Sequence, residues 1–275
     1  MHKGSKNKSV MSRFLCCSGL LLLLLGSLCG RAGMAAQSGQ GSSEIRVAAA
    51  ADLNHVLPVL IEHFSASTGH VVRTSYGSSG NLSRQIMQGA PFELFMSADQ
   101  SYVERLATQG LTADDGSLYA IGQLVLFIPS GSSAPADAGL QALAAAVNSG
   151  QVRRFAIANP AHAPYGQAAR QALQSVGVWA AVQPVLVLGD NAAQTARFTI
   201  AGSVDAGLIP RSIAAVPEFA EHGRWLALAE GLYTPLQQRM VLLQDAPPAA
   251  IEFYRYLQSP PARQIFRQFG FQSPD

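Results

Sequence analysis

The chain has 275 residues, 48% of them hydrophobic and 13% charged, with a formal net charge of +2. The charge is unevenly placed: residues 1–43 hold five basic residues (Lys3, Lys6, Lys8, Arg13, Arg31) and no acidic one, and the rest carries 14 basic against 17 acidic residues, about −3. All three cysteines (Cys16, Cys17, Cys29) share that first stretch, so the body excludes a disulfide framework, a cysteine metal site and the basic surplus of a nucleic-acid binder.

Met1–Phe14 is polar and basic, Leu15–Leu28 is apolar around Leu20–Leu25, and small residues follow through Gln37. These are the three regions of a secretory signal peptide. The apolar run falls short of the roughly 20 residues that span a bilayer, and Leu28, rather than a small residue, precedes Cys29, which disfavours a lipid anchor. Residues 1–35 are therefore expected to be removed on export, leaving a periplasmic protein of about 240 residues. Its low charge and abundant Val, Leu, Ile and Phe exclude a disordered chain.

From Glu44 onward short apolar runs alternate with helical patterns, the order of an α/β fold. Ile45–Ala50 is expected as a strand, and Asp52 as the cap of a helix carrying Leu53, Val56, Leu57, Leu60, Ile61 and Phe64 and ending at Gly69. Pro58 inside it should kink the helix or delay its start. Val71–Tyr76 predicts the next strand, followed by Gly77-Ser-Ser-Gly80 and a helix stopped by Gly89. A third strand, Phe92–Ser97, leads to Asp99 capping a helix that ends at Gly110.

The second half repeats the phrase: strand Phe155–Ala158 with helix Gly166–Val176, strand Val185–Leu188 with helix Ala192–Ile200, and strand Ala206–Ile209. Gly122–Pro129 and Arg239–Gln244 have the length of strands that pass between two lobes, and Pro129–Gly139 has the composition of a loop. Four turns, at Ala50-Ala-Asp52, Gly77-Ser-Ser-Gly80, Ala163-Pro-Tyr-Gly166 and Gly189-Asp-Asn-Ala192, place small or capping residues where a strand feeds a helix. The first N–H groups of a helix lack intrahelical partners and carry part of the positive end of its dipole. In open α/β sheets ligands sit at such strand ends, so converging turns would suit an anion without any Lys or Arg. The same turns equally suit any α/β protein, in which Ser and Asp are simply good caps.

The chain resembles the periplasmic molybdate-binding proteins of ABC transporters, in the type II periplasmic binding protein superfamily. The likeness rests on Val47-Ala-Ala-Ala-Ala-Asp-Leu53, Tyr76-Gly-Ser-Ser-Gly80, the Gln85-to-Asp99 stretch with its Gln-Gly-Ala-Pro and Ser-Ala-Asp, Tyr119-Ala-Ile-Gly122, Ala158-Asn-Pro-Ala-His-Ala-Pro-Tyr-Gly166 and Phe266-Arg-Gln-Phe-Gly-Phe271. The resemblance implies two α/β lobes joined by two crossover strands, residues 44–121 with 232–275 forming one and 122–231 the other, and a ligand cleft between them. It implies a monomer with no enzymatic activity and no cofactor. Its ligand would be molybdate or tungstate and its partner a membrane ABC permease. Carried over by position, the binders are Asp52, Ser79, Tyr165 and Ala192, offering mainly backbone N–H, with Ser79 adding its hydroxyl.

Two departures from the family pattern stand out. Asp52 lies where some members have a hydroxyl residue at or beside the position, and its charge would oppose a dianion unless the carboxylate turns away as the N-cap. Pro210 lies where some members have a Tyr. A cage of donors alone should disfavour protonated phosphate, and lobe separation should select the larger molybdate over sulfate. The alternatives are a binder of the same fold for sulfate, phosphate, an organic acid or a metal ion, the last drawing on Asp52, Asp190, Tyr165 and His162, and a hydrolase using Ser78 or Ser79. Against the hydrolase, Gly77-Ser-Ser-Gly-Asn81 departs from Gly-x-Ser-x-Gly and no His and acid are paired by spacing.

Overall fold

The computed structural model describes residues 42–135 and 139–274; the expected leader lies outside them. Two five-stranded sheets organise these residues. The first holds β1 (Glu44–Ala50), β2 (Val71–Gly77), β3 (Leu94–Ser97) and β4 (Ser117–Gly122). The second holds β5 (Leu124–Pro129), β6 (Phe155–Ala158), β7 (Leu186–Gly189), β8 (Ala206–Pro210) and β9 (Gly223–Ala227), after which β10 (Leu236–Leu242) rejoins the first. Their orders, β2-β1-β3-β10-β4 and β7-β6-β8-β5-β9, share one plan. In each, three parallel strands are followed by a strand running antiparallel to its neighbours.

Helices α1 (Val56–Thr68), α2 (Ser79–Met87) and α3 (Gln100–Thr108) follow the first three strands, and α4 (Leu143–Asn148) precedes β6. Then come α5 (Pro164–Ser175) and α6 (Trp179–Val182) after β6, α7 (Ala192–Ile200) after β7, and α8 (Arg211–Ala214) and α9 (Pro217–Ala220) after β8. α10 (Pro248–Leu257) and α11 (Pro260–Gln268) end the described chain.

The central strands read as unbroken apolar runs because both of their faces are covered. Along β1, Ile45, Val47 and Ala49 join the core that contains Phe64 and Phe253, while Ala48 joins the one that contains Phe95 and Leu106. Along β5, Leu124, Leu126 and Ile128 pack with Phe155, and Val125 and Phe127 pack with Phe219. That alternation is the two-residue period of a strand.

One passage between sheets follows the expectation and the other departs from it. The Gly122–Pro129 run carries the chain across, with Gly122 in the first sheet and Leu124–Pro129 in the second, whereas Arg239–Gln244 does not cross. Gln123 alone separates β4 from β5, and the return runs through 228–235 before β10, which lies inside the first sheet between β3 and β4.

The first helix also departs from its predicted start. Ala51–Leu53 form a single 3-10 turn whose side chains provide no cap, and α1 begins only at Val56. Pro58 then lies in the first helical turn, where its missing N–H costs no hydrogen bond. Asp52 is therefore not an N-cap. Asp99 is one, accepting from the Ser101 N–H at 2.8 Å. In α2 the cap is Ser78, which frees Ser79 to be the first helical residue.

Candidate functional site

The carboxyl ends of strands from both sheets meet at one small cavity. It is lined by Ala50, Ala51 and Asp52 at and beyond the end of β1, Gly77, Ser78 and Ser79 at and beyond the end of β2, and Ala98 after β3; the second sheet supplies Ala163, Pro164 and Tyr165 after β6 and Ala192 after β7. The four residues expected to bind, Asp52, Ser79, Tyr165 and Ala192, are thus gathered around a single space. Pro210 is not part of its wall: it is buried at the end of β8, paired with Leu124.

Three of the four residues open a helix long enough to carry a dipole. Ser79 is the first residue of α2, Tyr165 the second of α5 and Ala192 the first of α7. Their amides have no intrahelical acceptor. The Ser79 hydroxyl accepts the Ala98 N–H at 3.0 Å, which leaves its own proton to donate elsewhere. At α7 the Asn191 side chain caps by accepting from the Gln194 N–H at 3.0 Å. The wall holds no Lys, Arg or His, so backbone dipoles are what it can offer an anion.

Asp52 is buried, 1% exposed. Its Oδ2 accepts from the Tyr165 hydroxyl at 3.1 Å and from Gln238 Nε2 at 2.6 Å, while Oδ1 is buried with no hydrogen-bond partner. Burial pushes its carboxyl up from 3.8 to about 6, against the lowering effect of the Gln238 and Tyr165 bonds and of its own backbone N–H. Burial first, and the Asp52 charge second, push the Tyr165 hydroxyl well above 10. Gln238, fully buried on β10, is the residue that sequence reasoning missed: its Oε1 accepts from the Tyr119 hydroxyl at 2.7 Å. Nothing in its neighbours along the chain marks it. Tyr165 is held so close to β4 that a Cβ on Gly122 would lie 2.3 Å from its hydroxyl oxygen.

Beside the cavity the halves meet directly. The Gly80 N–H donates to the His162 carbonyl at 3.0 Å, and Ser78 Oγ lies 2.9 Å from His162 Nδ1. His162 Nε2 is 3.6 Å from Asp190 Oδ1. This Ser–His–Asp row, unseen in the spacing, superficially matches a hydrolase. However, 3.6 Å is too long for a hydrogen bond, and Ser78 Oγ already serves as the α2 cap. Asp190 is largely exposed and Asp52 is not, and among the described residues no three His, Cys, Asp or Glu side chains gather as a metal site.

Residues 45–272 match the family model of bacterial extracellular solute-binding proteins. The chain belongs to that family. Solute-binding proteins are transport components rather than enzymes. Among curated members, the molybdate-binding protein ModA of Azotobacter vinelandii is 33% identical, over 87% of this chain and 94% of its own. ModA of Rhodobacter capsulatus is 34% identical over 84% and 88%. The solved structure of the Azotobacter vinelandii periplasmic molybdate-binding protein superposes with a TM-score of 0.76 at 28% identity, covering 84% of this chain and all of that one. Among the described residues of this solute-binding protein no helix is long and apolar enough to cross a membrane.

Proposed function

We propose that this solute-binding protein captures molybdate, and also tungstate, in the periplasm and delivers it as a monomer to a membrane ABC permease. Its lobes divide at residues 44–121 with 232–275 and 122–231. The anion lies between them, held by the amides of Asp52, Ser79, Tyr165 and Ala192 and by the Ser79 hydroxyl. The observation that carries this reading is the convergence, from both sheets, of helix-start amides on one cavity whose wall has no cationic side chain. The molybdate-binding relatives at 33–34% identity support the choice of ion.

Each charge-assisted hydrogen bond contributes roughly 1.5–3 kcal/mol, so about five suffice for sub-micromolar binding after closure costs. Titration calorimetry of residues 36–275 with molybdate, tungstate, sulfate and phosphate tests the reading. Sub-micromolar molybdate binding without sulfate competition is expected. Absence of molybdate binding, or capture of Fe³⁺ or a sugar instead, would overturn it.

A further inference from the structure

The wall of the cavity contains one group at odds with a doubly negative guest. Asp52 is the sole acidic side chain lining it, no cation lines it, and the carboxylate oxygen Oδ1 is sealed from solvent without a partner. The other oxygen is fully occupied, by the Tyr165 hydroxyl from α5 and by Gln238 Nε2 from β10. The ionisable groups facing the carboxyl are Tyr165 and, behind Gln238, Tyr119 of β4; burial and the Asp52 charge push both well above 10, so neither supplies positive charge. The charged groups on the other elements packed against this turn are engaged elsewhere. Arg211 of α8 donates to Gln123 and lies over the Trp225 ring, and Arg73 of β2 pairs with Glu44. Arg197 of α7 lines the neighbouring cleft rather than this cavity, as does Tyr76 of β2.

We propose that Asp52 enters the anion cage as a neutral carboxylic acid, its Oδ1 proton donated to an oxyanion oxygen, so that each dianion is captured together with one proton. The inference rests on the function proposed above and names the residue that makes the cage consist of donors only. The step balances simply: one proton from solvent joins the Asp52 carboxylate, no covalent bond to the ion forms, and the enclosed charge is −2 rather than −3. With Oδ2 accepting from Tyr165 and Gln238, Oδ1 is the oxygen left to carry the proton. Burial already holds the carboxyl near 6, and a dianion alongside raises it further. Below about pH 6 the acid form is present beforehand and no uptake occurs. Above it, affinity falls about tenfold per pH unit until the raised value in the complex is passed.

Calorimetry of the wild-type protein with sodium molybdate at pH 5 and pH 8, in buffers of different ionisation enthalpy, counts the protons. About one proton taken up at pH 8 and almost none at pH 5 is expected. The Asp52→Asn variant, a neutral donor of the same shape, should bind molybdate at pH 8 at least tenfold more tightly than wild type, with no proton uptake. Molybdate binding by wild type with no proton exchange at pH 8 and flat affinity from pH 6 to pH 9 overturns the proposal while leaving the function intact. A preference for phosphate over molybdate overturns it as well, because an ionised Asp52 would then be accepting a proton brought by the ligand. Failure of both folded proteins to bind molybdate overturns the function itself. The wild-type proton count decides the matter even if the variant does not fold.

Discussion

Replacing Asp52 with Asn should make the protein more stable at neutral pH, and the gain should vanish in acid. Folding raises this carboxyl from 3.8 to about 6. The folded chain therefore binds more protons than the unfolded chain between those values, and stability falls as pH rises through the window. A shift of about two units at 1.36 kcal/mol each makes the buried charge cost on the order of 3 kcal/mol at pH 7 and above, and nothing well below pH 3.8. Asn keeps an oxygen for Tyr165 and Gln238 but puts an amide nitrogen where Oδ1 now has no partner, a loss of about 1–3 kcal/mol that is independent of pH. The variant should thus gain about 0–2 kcal/mol at pH 8 and lose about 1–3 kcal/mol near pH 3. The firmer quantity is the change in the difference between the two proteins, about 2–3 kcal/mol between pH 4 and pH 8. Urea unfolding of both proteins at pH 4, 6 and 8, without oxyanion so that ligand linkage does not contribute, measures it. Parallel stability profiles across that range would refute the reasoning.

Ser79→Ala removes a hydroxyl that accepts the buried Ala98 N–H; molybdate affinity should drop about 10–100-fold and stability by about 1–3 kcal/mol, read by calorimetry and urea unfolding. Gly80→Ala places a Cβ 2.6 Å from the His162 carbonyl oxygen. It should prise the halves apart and weaken molybdate binding at least tenfold, while stability changes by only about 1 kcal/mol because Ala favours the helix; an unchanged affinity and scattering radius would count against an interlobe contact here. Gly122→Ala drives a Cβ to 2.3 Å from the Tyr165 hydroxyl, so it should destabilise by more than about 2 kcal/mol, checked by thermal unfolding. Asp190→Asn, by contrast, alters a side chain 58% exposed and should shift molybdate affinity less than about threefold.

What could be read from sequence was whatever is local. The apolar run Ile45–Ala50 and the capping chemistry of Asp99 each involve neighbours within a few positions, and both elements formed where expected. The four turns were legible for the same reason. The charge state and anchoring of Asp52 were not, because they depend on Gln238, 186 positions away, and on Tyr165, 113 positions away. Asp52 looked like a cap because it precedes an apolar helical pattern, and that local preference lost to the 3-10 turn at Ala51–Leu53 and to Pro58. The Ser78–His162 contact spans 84 positions and was equally invisible.

The shared strand order gives the site its logic. In each sheet the central parallel strand, β1 or β6, is flanked by the next strand along the chain, β2 or β7. Asp52 and Tyr165 thus follow equivalent strands, as do Ser79 and Ala192. Two copies of one arrangement, facing each other, present the amides of Asp52 and Ser79 from one side and of Tyr165 and Ala192 from the other, a layout that, on the function proposed above, would enclose a tetrahedral ion without cationic side chains. The equivalence also explains why the two halves touch where they do: Asp52 and Tyr165, occupying matching places, bond to each other at 3.1 Å. A carboxyl at one such place, rather than a second hydroxyl, turns a symmetric pair of donors into a donor and an acceptor. If the halves share a dianion as proposed above, that single asymmetry makes the protonation of Asp52 the variable that sets how well they do so.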